Sequence, residues 1–205
     1  VAARIAELAD IPVLVPVLAR AFAEDPFISW LVRRDARRAA GFERFFELAL
    51  RHLAIPFGEV YTNDARTGAA LWVPPGKWHM GLGKELRLVH HFAAICGWSR
   101  LVGVQLATRP MVKAHPREPH HYLLVVGVDP SAQGKGVGRE LLEPMLAICD
   151  RDQLPAYLET ATERNLGYYQ SLGFAITGEH AIESGPTMWF MWRAPITPAP
   201  AEPLR

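Results

Sequence analysis

The stretch that most constrains this chain is His121–Arg139, HYLLVVGVDPSAQGKGVGR. Tyr122–Val128 is an apolar, β-branched run too short for a lone helix, so it reads as a buried strand. Asp129–Pro130 ends it, because the residue before a proline is pushed out of helical dihedrals. Gln133-Gly134-Lys135-Gly136-Val137-Gly138 follows, and Val137, Leu141, Met145, Ile148 and Cys149 then share one face of a helix. Strand, glycine loop and helix in that order make an anion cradle. Glycines let the backbone approach a ligand closely. The first helical turn adds unpaired N–H groups and the positive end of its dipole. A pyrophosphate suits such a site, with the Lys135 charge at its rim.

Two common phosphate loops are excluded. A nucleotide P-loop needs Gly-Lys-Ser/Thr, whereas Gly138 precedes Arg139; a dinucleotide fingerprint needs a different glycine spacing. The Gln-x-x-Gly-x-Gly of Gln133, Gly136 and Gly138, entered from a Val-x-Val-x-Pro strand end, instead resembles the acetyl-CoA loop of the GCN5-related N-acetyltransferase (GNAT) family. The resemblance implies acetyl-CoA as co-substrate. It implies contacts from Val126, Gly127, Val128, Gln133, Gly134, Lys135, Gly136, Val137, Gly138 and Arg139.

A second segment, Asn165-Leu166-Gly167-Tyr168-Tyr169-Gln170-Ser171-Leu172-Gly173-Phe174, is similar to another motif of that family. The resemblance places Asn165 beside the cofactor and points Tyr169 at the thioester sulfur, while Tyr168 is expected to pack its helix against the sheet. Arg117-Glu118-Pro119, Val126-Gly127-Val128, Leu158-Glu159-Thr160, Gly185-Pro186 and Pro144 look most like the puromycin N-acetyltransferase branch. The amino-terminal half resembles it only in layout, so the acceptor does not transfer.

The rest of the chain supplies a setting for these motifs. With 205 residues, half of them hydrophobic, the chain is long enough for one sizeable core. The expected division is a single domain over 1–194 and a proline-rich tail over 195–205. A net charge of +1 gives no sign of a nucleic-acid or membrane-surface partner. Cys96 and Cys149 read as reduced core residues, no histidine spacing suggests a metal, and no signal or spanning segment is seen, so a cytoplasmic monomer or homodimer is expected. Helices are expected over Ile11–Ala23, Ala36–Leu53 and, in two pieces, Trp78–Lys113. Glu59–Thr62 and Ala69–Val73 read as a hairpin, and Ala2–Ala6, Ala156–Thr160, Phe174–Thr177 and Thr187–Arg193 as strands. The strand–helix–strand order implies a parallel pair. The expected fold is therefore α/β, GNAT-like: a six- to seven-stranded mixed sheet, splayed at a central parallel pair, with helices on both faces.

The reaction expected from the resemblance is direct acetyl transfer to the amine of a small molecule, an aminonucleoside or another xenobiotic among the candidates. Most amines are protonated at pH 7, so a base is useful. Glu159, in the strand beside the cofactor strand, is the candidate, with a structural carboxylate as the alternative; His120 and His121 follow. A backbone N–H of Val126 or Val128 is placed to stabilise the carbonyl oxygen if the strands splay. Tyr169 is expected to hydrogen-bond the leaving thiolate. Phe27, Trp30 and Trp78, in loop-like breaks, and His121 are candidate acceptor contacts, against a simpler reading of the aromatics as core. The alternatives are a non-catalytic acetyl-CoA-binding module or a protein or peptide N-acetyltransferase.

Overall fold

The computed structural model describes residues 3–79 and 81–196, so the tail beyond residue 196 and the start of the expected first strand lie outside it. Strand β1 (Arg4–Ile5) and helix α1 (Ile11–Ala21) come first. Asp10 stands at the N-cap of α1 without capping it; its carboxylate instead takes two 2.8 Å hydrogen bonds from Arg4. Phe27 and Trp30, expected in a loop, lie on a short helix, α2 (Pro26–Leu31). Asp25 caps that helix by accepting from Ile28 N at 2.9 Å, and Pro26 fits the first turn, where no N–H partner is needed.

Helix α3 (Arg38–Leu48) runs on into a wider turn over Ala49–Ala54. The hairpin is β2 (Val60–Thr62) and β3 (Gly68–Val73). The long helical region is indeed two helices, α4 (Leu82–Cys96) and α5 (Leu101–Ala114), parted at Gly97, whose φ of +88° suits glycine. Then come β4 (His121–Val128), α6 (Val137–Arg151), β5 (Ala156–Thr160), α7 (Leu166–Ser171), β6 (Ala175–Ala181) and β7 (Thr187–Arg193).

Among the described residues, seven strands form one sheet in the order β1-β2-β3-β4-β5-β7-β6. Only β4 and β5 pair in parallel; all other neighbours are antiparallel. Successive β3 residues face opposite sides. Ala69 and Leu71 pack with α1, α3 and α4 through Leu18, Phe46 and Leu88. Ala70 and Trp72 pack with α6 and α7 through Leu141, Met145, Cys149 and Tyr169. The sheet thus has helices on both faces. A third cluster, Met111, Tyr157, Ile182, Met188 and Phe190, covers the β5–β7 part of the sheet. No helix among the described residues is long and apolar enough to cross a membrane.

Candidate active site

The parallel pair is a fork. β4 and β5 are in register at His121–Ala156, Tyr122–Tyr157 and Leu123–Leu158, and not beyond, although β4 continues to Val128. A bulge sits at the branch point. Leu71 opposes Val125 and Trp72 opposes Leu123, leaving Leu124 as the extra residue. The bulge reverses the later part of β4, so Leu123 faces α6 while Val125 faces α1. It also reverses the hydrogen-bonding edge. Asp129 N donates to Thr67 O, and the ladder's alternation then aims Gly127 and Val125 at β3. The N–H groups of Val126 and Val128 therefore face the opening between β4 and β5.

The cradle closes one end of this fork. Gly134 and Gly136 have φ of +74° and +82°, in the left-handed region that glycine tolerates best. Gly136 is the residue before α6, so the loop delivers its backbone N–H groups to a helix start. Gln133 Nε2 donates to Val128 O at 3.0 Å and pins the loop to the strand end. Lys135 turns the other way, with Nζ 2.9 Å from Ser131 O. Asp129 accepts from Ser131 Oγ at 2.7 Å and from Arg20 at 2.6 and 2.9 Å; these bonds, that from Ser131 foremost, hold its carboxyl down at about 2. Arg20 thereby ties the end of α1 to the end of β4. Gly127 permits the approach, because a Cβ there would lie 2.8 Å from Leu18 and Phe22 side-chain carbons.

A cavity of about 880 Å³ opens from the cradle into the fork. Of the ten residues from the first motif, nine line it: Val126, Gly127, Val128, Gln133, Gly134, Gly136, Val137, Gly138 and Arg139; Lys135 does not. Asn165 and Tyr169 of the second motif line it as well. Tyr169 is buried at 7% exposure, with its ring against Phe174. Burial pushes its hydroxyl above the ordinary tyrosine range, and that hydroxyl has no protein hydrogen-bond partner among the described residues. Tyr168 does not pack against the sheet as expected. It is half-exposed, and its Oη would lie 3.2 Å from a Cβ on Gly138, so it covers the glycine loop.

Several lining residues escape the motifs: Arg20, Glu24, Asp25, Thr162 and Arg164. Asp25 links the turn after α1 to the loop after β5, because its second oxygen accepts from Thr162 Oγ1 at 3.1 Å. Burial raises its carboxyl, against the lowering effect of those hydrogen bonds. The Asp-Pro that starts α2 is the only local trace of this role in the sequence.

Glu159 stands on β5 one residue past the last parallel pair, on the sheet face opposite Leu158 and α6. It does not line the cavity. Its Oε1 accepts from Tyr157 Oη at 3.0 Å and lies 3.5 Å from His115 Nδ1. His115 Nε2 is 3.1 Å from His120 Nε2, and His120 Nδ1 is 2.7 Å from Glu118 O. Aromatic rings enclose the group. Trp78 stacks on His115 at 3.6 Å, Tyr122 meets His115 edge-on, and Trp192 meets His120. Phe27 and Trp30, 6.0 Å apart, pack against the adjoining cluster. Burial pushes Tyr122 and Tyr157 well above the ordinary tyrosine range and lowers His120. His121 is not brought here. One strand position away, it projects toward α6, with Nδ1 3.3 Å from Glu59 Oε2. Among the described residues no group of three or more His, Cys, Asp or Glu is arranged to hold a metal ion.

Residues 91–174, spanning the fork and both motifs, match the model of the acetyltransferase (GNAT) family. An uncharacterised N-acetyltransferase of Schizosaccharomyces pombe is 30% identical over 184 residues, 84% of this chain and 74% of that one. Among solved structures, "histone acetyltransferase HPA2 and related acetyltransferase" from Corynebacterium glutamicum superposes with a TM-score of 0.71 at 28% identity, covering 96% of this chain and 97% of that one. Arylalkylamine N-acetyltransferase 2 from Aedes aegypti shares the fold at a TM-score of 0.59 and 14% identity, with 94% and 97% covered.

Proposed function

This chain belongs to the GNAT family of N-acetyltransferases, and from that premise we propose that it transfers an acetyl group from acetyl-CoA to the amine of a small, apolar or aromatic molecule. One observation carries the reading: a fork whose open strand edge, glycine cradle and Tyr169 hydroxyl converge on one cavity. That cavity falls in the size range of small-molecule sites. It offers backbone donors at a helix start and the Arg20, Arg139 and Arg164 side chains for a polyanionic cofactor. When bound, acetyl-CoA supplies a thioester carbonyl open to attack by a neutral amine.

The chain's own groups divide the work. The N–H of Val126 or Val128 donates to the carbonyl oxygen as it gains charge. Tyr169 donates a hydrogen bond to the leaving sulfur. An ordinary tyrosine, near 10, already holds its proton more tightly than a thiol near 8.5, and burial widens that gap, so the proton stays on Tyr169. Glu159 receives the proton of the incoming amine through water. Phe27, Trp30 and Trp78 form the apolar side of the acceptor site, in keeping with their packing around the Glu159 cluster.

Free-thiol release from acetyl-CoA across a panel of amines tests this. We expect turnover with aromatic or apolar primary amines, aminonucleosides included. Acetylation of peptides alone would replace the small-molecule reading with protein acetylation. Binding of acetyl-CoA without thiol release from any member would replace it with a binding module.

A further inference from the structure

Resting on Glu159 as the base, we propose that His115 and His120 are positioning residues that join Glu159 in a buried relay holding a single shared proton. The hydrogen-bond wiring dictates the count. Glu118 O is a carbonyl and can only accept, so His120 Nδ1, 2.7 Å away, carries a hydrogen. Burial opposes a charge on His120, which leaves its Nε2 bare. The 3.1 Å contact with His115 is then filled by a hydrogen on His115 Nε2. A neutral His115 so arranged turns a bare Nδ1 toward Glu159 Oε1, 3.5 Å away. Two lone pairs meet there, and one proton satisfies both.

The histidine side of that contact is closed to solvent, while the Glu159 side chain keeps 11% of its surface exposed. His115 and His120 are buried at 6% and 2% exposure, Trp78 stacks on His115, and Tyr157 fixes the same Glu159 oxygen from the other side. Besides Glu159, the titratable groups facing the two imidazoles are Tyr122 and Tyr157; Glu118 and His121, close to His120 in the chain, act on it electrostatically.

The reaction requires such an acceptor. An ammonium substrate loses two protons on becoming an amide, while the departing sulfur regains one, so each turnover leaves one proton over. Glu159 collects it, the His115–Glu159 contact stores it, and release to solvent resets the bare pair.

Two measurements test the relay. In long-range nitrogen–proton spectra of labelled protein, His120 Nδ1 and His115 Nε2 are expected to carry hydrogens in both wild type and Glu159→Gln. The His115 Nδ1 signal is expected to be that of a bare nitrogen in both and to shift in Glu159→Gln, because the glutamine amide then donates a hydrogen bond to it. A bare His120 Nδ1, or a His115 signal that ignores Glu159→Gln, overturns the wiring. In kinetics, His115→Asn is expected to lower kcat roughly tenfold or more while the KM for acetyl-CoA stays within about twofold. His120→Gln, which leaves the His115–Glu159 contact in place, is expected to change kcat in the same direction by less. Unchanged kcat in both, with turnover lost in Glu159→Gln, overturns the relay and leaves Glu159 as the base. Unchanged turnover in Glu159→Gln overturns both.

Discussion

The two sides of the fork are built by different means. The cradle side is largely contiguous: one segment, Val126–Arg139, supplies half of the residues that line the cavity, and the glycine loop within it works through backbone. The Glu159 side is assembled from β5, the loop before β4, the turn holding Trp78, and α2, and it works through side chains. A backbone site must keep glycines at fixed spacing, whatever surrounds it. A side-chain site needs only that the fold bring distant residues together, so its members leave no local pattern. In the function proposed above, the cofactor is held on the contiguous side and the acceptor is chosen on the assembled one.

That division can be broken by substitution. The largest effect is expected from Glu159→Gln: a loss of about 10²- to 10⁴-fold in kcat, with calorimetric affinity for acetyl-CoA unchanged. A matching loss of cofactor affinity would show that the two sides are not separate. Tyr169→Phe removes a donor to a charged sulfur and is expected to cost about 10- to 100-fold in kcat at unchanged affinity. Gly136→Ala acts on the other side. Nothing lies within 4 Å of a Cβ there, so the cost is conformational alone at φ +82°. About 1–2 kcal/mol, or roughly 5- to 30-fold, should appear in the KM for acetyl-CoA and little in kcat.

The smallest effect is a pH dependence at Asp25, which lies between the two sides. Its carboxyl is raised by burial, so its folded value exceeds its unfolded one. The stability it contributes is present below the unfolded value of about 3.9 and is lost as pH rises through the folded one. Asp25→Asn should therefore gain on wild type in melting temperature between acid and neutral pH. A constant difference would place the ionised carboxylate in a solvated setting.

Legibility followed the same line. The strand–loop–helix, the parallel pair and the second motif could be read because each is a local run with its own period or glycine spacing. Lys135 shows the limit: the residue position was legible, but its side chain folds back to Ser131 O. The α2 helix was missed because six residues hold too little periodicity, although Asp25-Pro26 carries the capping signal. His120 and His121 stand out in the sequence as a pair at the strand entrance, and His115 does not stand out. The alternation that decides which face a strand residue occupies runs through the bulge at Leu124, which no sequence pattern marks. His115 sits in the loop before β4, and only packing against Tyr157 and Trp78 gives it a role.

A crystal structure with coenzyme A and an amine acceptor, or its acetylated product, examines the two-sided fork most directly. The pyrophosphate is expected against the backbone N–H groups of residues 133–138, with the sulfur within hydrogen-bonding reach of Tyr169 Oη. The amine nitrogen should lie on the Glu159 face, within reach of its carboxylate directly or through one water. A sulfur remote from Tyr169, or an acceptor on the α6 side beside His121, would contradict it.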